Sequence, residues 1–176
     1  GAGVLIANSF LDYVDSNMSG KAKIGIVGAL NSTIQNVRQK GFTDTLSKNP
    51  KVEVVGIVDG RNVSEKAMSA AENLFTANPS MNAVYTTGEP ALVGAIAATE
   101  AQGLEKDIKI FGWDLTSHSI NGIDQGYVIS VVQQSPYNMG TYAVNVLKDT
   151  FNGKSVPRVI DVPITLVTKS NVSKFK

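Results

Sequence analysis

No cysteine occurs anywhere in the 176 residues. That removes disulfides, thiol nucleophiles and thiolate metal sites from consideration, and it suits a protein exported to an oxidising compartment without staples. Only one histidine is present, His118. Nucleophilic catalysis needs a base held beside a nucleophile, and no serine-bearing nucleophile elbow accompanies it. His118 reads as a solvated residue at a helix start. The 15 acidic residues are scattered, without the clustered donor set that a metal ion requires. The first strand–turn, Gly28-Ala29-Leu30-Asn31-Ser32, lacks the spacing of a dinucleotide fingerprint and the lysine of a phosphate loop. No catalytic residue, metal or cofactor is therefore expected.

Long apolar runs are missing too. None approaches the roughly 20 residues of a membrane span. The formal net charge is +1 with no basic run or acidic tail, so nucleic acid and membrane surfaces are not expected partners. No charged segment followed by an apolar signal core opens the chain, which leaves a mature form, a fragment or a cytosolic protein. What is present is ordinary for one globular domain: 43% hydrophobic and 18% charged residues, on a chain long enough to bury a sizeable core.

The chain alternates near-continuous apolar stretches with amphipathic ones. Gly1 to Ser19 reads as a helix with Val4, Leu5, Phe10, Leu11 and Val14 on its apolar side. No strand or cap precedes it, so upstream sequence is expected to be missing. Strands are predicted at 21–28, 51–58, 83–86, 108–111 and 127–132. Helices are predicted from the Asn31/Ser32 cap to about Ser47 (apolar at Val37, Phe42 and Leu46), from Ser64 to Asn78, from Pro90 to Ala101, around His118 to Asp124, and from Pro136 to Phe151. Val156 to Val167, interrupted by Pro157 and Pro163, reads as two short extended pieces. Strand–helix repetition of this kind implies an α/β fold, a doubly wound parallel sheet with helices on both faces.

The stretch Ile108-Lys109-Ile110-Phe111-Gly112-Trp113-Asp114-Leu115-Thr116 organises the functional reading. Gly112 is expected to turn the backbone, so that Trp113 and Asp114 emerge at the carboxyl end of a buried strand, where ligands of open α/β sheets bind. A carboxylate accepts hydrogen bonds from hydroxyls and an indole covers the apolar face of a sugar. In the alternative reading, Trp113 fills core and Asp114 caps the next helix. The other strand ends carry Asn31/Ser32, Asp59/Arg61/Asn62, Thr87/Gly88/Glu89 and Gln133/Gln134. One polar cluster per strand, meeting at one rim, suits a polyhydroxylated ligand.

Taken in order, Asn31-Ser32-Thr33 with Arg38 and Gly41-Phe42, then Glu72-Asn73-Leu74 with Asn78-Pro79, Ala83-Val84-Tyr85, Gly112-Trp113-Asp114, Gln134-Ser135-Pro136-Tyr137 with Met139-Gly140, Gly153-Lys154, and Asp161-Val162-Pro163-Ile164 with Val167-Thr168-Lys169-Ser170-Asn171 resemble the periplasmic sugar-binding proteins of ABC transporters. The ribose- and galactose-binding group, with the type I fold, is the most similar. Those proteins have two lobes joined by three crossing segments, with the sugar between them. The resemblance covers the second lobe and the carboxyl-terminal crossings only. It implies that residues 1–135 form the carboxyl-terminal lobe, that 136–162 supply a helix and strand packing on a missing amino-terminal lobe, and that 163–176 return to the first lobe.

Carried over by position, the family's sugar contacts fall on Asn36, Asn62, Gly88, Asp114 and Gln134. Asp114 and Gln134 keep residue types the family uses. Asn36 stands where the ribose type has an arginine, Asn62 where it has an aromatic, and Gly88-Glu89 where it has Asn-Asp, which speaks against ribose itself. Glu89 either supplies the lost acceptor or faces solvent at the start of the Pro90 helix, and Trp113 joins the set as a stacking surface. Arg38 matches a common family arginine but lies one turn from the contact position, and it reads either as part of the site or as a structural ion-pair partner.

The resemblance implies solute binding for ABC-transporter uptake: a monosaccharide gripped by hinge closure, a membrane permease as partner, and a periplasmic location, or a membrane-tethered extracellular one in a Gram-positive organism. Alone, the fragment is expected to dimerise, swap elements or disorder the Pro136 helix. Two other readings share this fold class: the effector domain of a sugar-responsive repressor, which needs a helix-turn-helix not seen here, and a small cofactor-free α/β enzyme.

Overall fold

Five strands run parallel, and a sixth completes the sheet. The computed structural model describes all residues 1–176. The strands are β1 (Ala22–Gly28), β2 (Val52–Asp59), β3 (Ala83–Thr86), β4 (Lys109–Trp113), β5 (Val128–Gln133) and β6 (Thr165–Thr168), side by side in the order β2-β1-β3-β4-β5-β6. The helices are α1 (Ala2–Asn17), α2 (Thr33–Leu46), α3 (Ser64–Ala77), α4 (Glu89–Ala101), α5 (Ser117–Gln125) and α6 (Pro136–Phe151), with a terminal 3-10 turn at Val172–Phe175.

Alternation along each strand sends side chains to two cores. Tyr85, Phe111 and Trp113 meet α1 and α2 through Ile6, Phe10, Phe42 and Leu46. Val84 and Ile110 meet α3 and α4 through Ala71, Leu74, Leu92 and Ala95. Helices cover both faces, as the doubly wound reading requires. Because the chain winds outward both ways from β1 and β3, the loops after those two strands lead to helices on opposite faces. A crevice opens at that switch point.

Five expectations need correction. β6 is antiparallel to β5, with Gln133 opposite Thr165 and Val131 opposite Val167, so the sheet is mixed. Only Thr165–Thr168 pairs; residues 156–164 form no strand, because the prolines bracketing that stretch remove ladder donors. β2 is an edge strand, so Val54 (37%) and Ile57 (46%) are exposed rather than buried. Val37 is 62% exposed; the buried stripe of α2 is Gln35, Phe42 and Leu46. On α1 the buried set is Gly3, Ile6, Ala7, Phe10 and Val14, a face rotated from the one expected: Gly3 and Gly41 let α1 and α2 approach closely, with a Cβ on Gly3 only 2.3 Å from the Arg38 carbonyl.

Helix α6 has no buried residue. Tyr137 and Phe151 are 83% and 87% exposed, and Val144 and Leu147 lie open beside them. An apolar surface of this kind on one helix promotes association.

Candidate functional site

Gly112 does not turn the chain. It lies within β4, where a Cβ would sit 2.5 Å from the Thr86 hydroxyl and 2.7 Å from Leu92 Cδ1. The turn comes two residues later, at Asp114, with φ of 62°. Trp113 does not emerge at the rim either. It is 2% exposed, its indole Nε1 donates to the Tyr85 hydroxyl at 2.9 Å, and the Arg38 guanidinium lies 3.8 Å over its ring. Of the two readings of Arg38, the ion pair is not seen: no carboxylate lies within salt-bridge distance of it. It is instead a cation stacked on an aromatic face, and its Nη1 donates to the Thr87 carbonyl at 3.1 Å. Burial lowers its pKa, while Asp114 and Tyr85 act in the opposite sense. Burial also pushes the Tyr85 phenol far above its usual range, so it stays protonated.

Asp114 does not cap α5. That role belongs to Thr116, whose hydroxyl accepts from Ser119 N–H in a reciprocal capping box. Asp114 is left for the rim. Its amide donates to the Val132 carbonyl at 2.9 Å, and its Oδ1 accepts from Gln134 Nε2 at 2.8 Å. Gln133, which the sequence left without a role of its own, holds the pair in place. Its Oε1 accepts from Leu115 N–H at 2.6 Å and its Nε2 donates to the Gln134 carbonyl at 2.8 Å.

The other half of the rim centres on Gln35, which no motif singled out. Gln35 Nε2 donates to Asn62 Oδ1 at 2.7 Å, and its Oε1 accepts from the Thr87 hydroxyl at 2.7 Å. Gly88 lies against it: a Cβ there would be 2.8 Å from the Gln35 amide. Asn62 and Arg61 both hold positive φ, 59° and 53°, a strained pair of the kind that gathers at ligand sites. Asn36 is exposed, and its Nδ2 donates to the carbonyl of Leu30, in the rim loop after β1, at 3.0 Å. Glu89 is exposed at the first position of α4, where a carboxylate meets the positive end of the helix dipole.

Asn62, Gln35, Thr87, Gly88, Arg38, Trp113, Asp114 and Gln134 thus form a chain of contacts along the carboxyl ends of the strands. A cleft of about 430 Å³ opens beside them, lined by Arg38, Trp113, Gln134, Ile34, Val37 and Ile164 among others. A hollow of about 490 Å³ at the amino ends, walled by Lys21, Lys23 and Lys51, contains none of this rim. No group of His, Cys, Asp and Glu is placed to hold a metal ion.

Asp59 ties two rim loops together. Its Oδ1 accepts from Arg61 N–H at 2.9 Å and Leu30 N–H at 3.1 Å, and these backbone donors, Arg61 first, hold its carboxyl below the usual range. A depressed folded-state pKa contributes stability above the unfolded value and loses it as pH falls through the folded one. Amide exchange at Leu30 and Arg61, compared with other slowly exchanging amides, is therefore expected to quicken as pH drops below the ordinary aspartate range. Unchanged relative protection through that range would refute the tie.

The chain belongs to the periplasmic binding protein domain family, whose model matches residues 2–155. That is a family of solute-binding proteins. The chain is 29% identical over 178 residues to the ABC transporter periplasmic-binding protein YphF of Escherichia coli, covering 98% of this chain and 53% of that protein. It is 24% identical to the Escherichia coli ribose import binding protein RbsB, over 90% of this chain and 53% of RbsB. It therefore spans about half the length of these relatives. Among solved structures, GanP, a glucose-galactose binding protein from Geobacillus stearothermophilus, superposes with a TM-score of 0.88 at 25% identity, over 97% of this chain and 60% of that one. A carbohydrate transporter solute binding protein from Agrobacterium radiobacter, in complex with D-arabinose, gives 0.91 at 22% identity, over 98% and 59%. The likeness covers the whole doubly wound sheet.

Proposed function

We propose that this chain is one lobe of a sugar-binding protein serving an ABC importer, and that it binds its ligand without transforming it. The observation that carries this is the hydrogen-bonded rim at the strand ends, in which Asp114 is joined to Gln134, with Gln134 and Arg38 lining a cleft of about 430 Å³. Such a rim presents carboxylate, amide and guanidinium groups suited to hydroxyl-rich ligands, and contains no nucleophile–base pair. Residues 1–135 form the lobe, 136–162 pack on an amino-terminal lobe, and 163–176 return. A monosaccharide bound between the lobes draws them together by hinge closure, a motion for which periplasmic binding proteins are a general example. The closed form then docks on a membrane permease. The location in keeping with this is the periplasm, or the outer surface of a Gram-positive membrane.

Of the residues carried over by position, Asn62, Gly88, Asp114 and Gln134 contact the ligand in this proposal. Gln35 and Arg38 join Asn36 as the working residues of α2, Trp113 acts beneath Arg38 rather than by stacking on sugar, and Glu89 borders the site. The test is a titration of the isotope-labelled chain with a monosaccharide panel, followed by NMR. Saturable shifts at Asp114 and the Asn62 and Gln134 side-chain amides are expected at millimolar sugar. Absence of any saturable shift, or shifts confined to the lysine hollow, would overturn the proposal.

The open face of α6 gives a second check. Light scattering of the chain alone is expected to show self-association that a Tyr137→Ser, Leu147→Ser, Phe151→Ser variant abolishes. A monomer at high concentration would refute this.

A further inference from the structure

The sheet ends at β6, yet the outer side of that strand is not bare. Asn171 covers it with three hydrogen bonds. Its Nδ2 donates to the Leu166 carbonyl at 3.0 Å and its Oδ1 accepts from Thr168 N–H at 2.8 Å. Its own N–H donates to the Thr168 carbonyl at 3.2 Å. Peptide groups of successive strand residues face opposite sides, so those of Val167, which lies opposite Val131, turn to β5. An amide that gives its N–H to one residue and takes an N–H from the residue two further on repeats the pattern of a parallel neighbour. The Asn171 side chain therefore stands where one residue of a seventh strand would. Closing the turn from Thr168 to Asn171 needs only the backbone bond; the bond to Leu166, five residues back, goes beyond it. The segment is pinned on both sides. Lys169 and Lys176 both reach Asp124 on α5, at 3.2 and 2.6 Å, and Val172 is buried in the core beneath α3 and α4. At the far edge β2 is interrupted differently, by a register shift against β1 at Ile24/Gly25, which also spoils an edge as a template.

We propose that Asn171 is an edge guard: its side-chain amide occupies the outward pairing groups of β6 and keeps the β6 strand of a second copy from adding there. An open edge is a ready template for another chain's strand. With Asn171 in place, an arriving strand must break bonds already made and gains little. Without the amide, the Leu166 carbonyl and Thr168 N–H are left without a protein partner, and an arriving strand gains both bonds. The guard is independent of what the cleft binds.

The probe is a peptide copying residues 163–169 of this chain, blocked at both ends. It is titrated into the isotope-labelled chain and followed by NMR, with amide exchange measured alongside. In the unaltered chain Thr168 N–H is expected to exchange slowly although it faces outward, and the peptide should give no saturable shift at Leu166 or Thr168. In Asn171→Ala, exchange at Thr168 is expected to quicken about tenfold, the size of one net hydrogen bond, while Val167 keeps its protection. The peptide should then shift the Leu166 and Thr168 amides saturably at millimolar concentration. Asn171→Asp keeps the acceptor for Thr168 but has no donor for Leu166, so Thr168 should stay protected and the peptide should bind more weakly than to Asn171→Ala. Should Asn171→Ala unfold, Asn171→Asp decides, and no saturable shift at Leu166 in it overturns the proposal. Saturable shifts at Leu166 or Thr168 in the unaltered chain, or none in a folded Asn171→Ala, also overturn it. So does joint loss of protection at Val167 and Thr168 in Asn171→Ala, since the amide would then be holding β6 in the sheet rather than covering its edge.

Discussion

Replacing Trp113 with alanine should lower the stability of the chain by about 3–5 kcal/mol, the range for truncating a large buried aromatic. For a domain of this size that corresponds to a fall in thermal midpoint of about 10 °C or more. Three losses combine. The indole is 2% exposed within the α1–α2 core, so its removal leaves a cavity. The Tyr85 hydroxyl, on a buried ring whose centroid lies 3.9 Å from that of Phe42, loses the indole N–H that it accepts from. Arg38 loses the surface it lies on. Trp113→Phe separates the contributions, since it keeps most of the volume and the platform but not the N–H, and should recover more than half of the loss. A midpoint for Trp113→Ala within a degree or two of the unaltered chain would show that the indole is not part of the packing.

Asp114→Ala should act on binding instead. Its carboxylate accepts from Gln134 and, in the proposed function, from ligand hydroxyls. Hydrogen bonds to a charged group are each worth about 1.5–3 kcal/mol, so affinity is expected to drop by roughly one to two orders of magnitude. Asp114 also holds a φ of 62°, which alanine tolerates less well than aspartate, so part of any stability change is conformational. Asp114→Asn retains the backbone preference and removes the charge. Calorimetry should show Asp114→Asn intermediate between the unaltered chain and Asp114→Ala. Equal affinities across the series would remove Asp114 from the site.

Much of the frame was legible because period and punctuation agreed. β3 at Ala83–Thr86 and α6 at Pro136–Phe151 fall where the apolar run and the proline–glycine signals place them. The edges were less legible. β2 is as apolar as an interior strand, and nothing in Val54-Val55-Gly56-Ile57-Val58 says that one neighbour is absent. Strand direction was hidden as well, since β6 pairs with β5 through residues far along the chain.

The site divides in the same way. Asp114 and Gln134 could be named from residue type and position, and the structure joins them at 2.8 Å. Gln35 could not be named from a motif, although a signal was present. It lies seven and eleven residues before Phe42 and Leu46, on the same buried stripe of α2, and a polar residue on such a stripe needs partners. Reading Val37 as the stripe residue concealed it. Trp113 was misplaced by two residues of backbone: the glycine that looked like a turn is required by the close approach of Thr86 and Leu92.

The register of the last two strands has one more consequence. Gln133 lies directly opposite Thr165, so the chain departs and comes back at adjacent points. Topologically, everything from Gln134 to Ile164 is an insert in an antiparallel hairpin, and a two-residue turn of the Asn-Gly kind is long enough to join its stems. A circuit shortened in that way would keep both cores and lose α6. It would also lose Gln134, and with it the amide that orients Asp114, so the shortcut preserves the scaffold while cutting one end out of the rim.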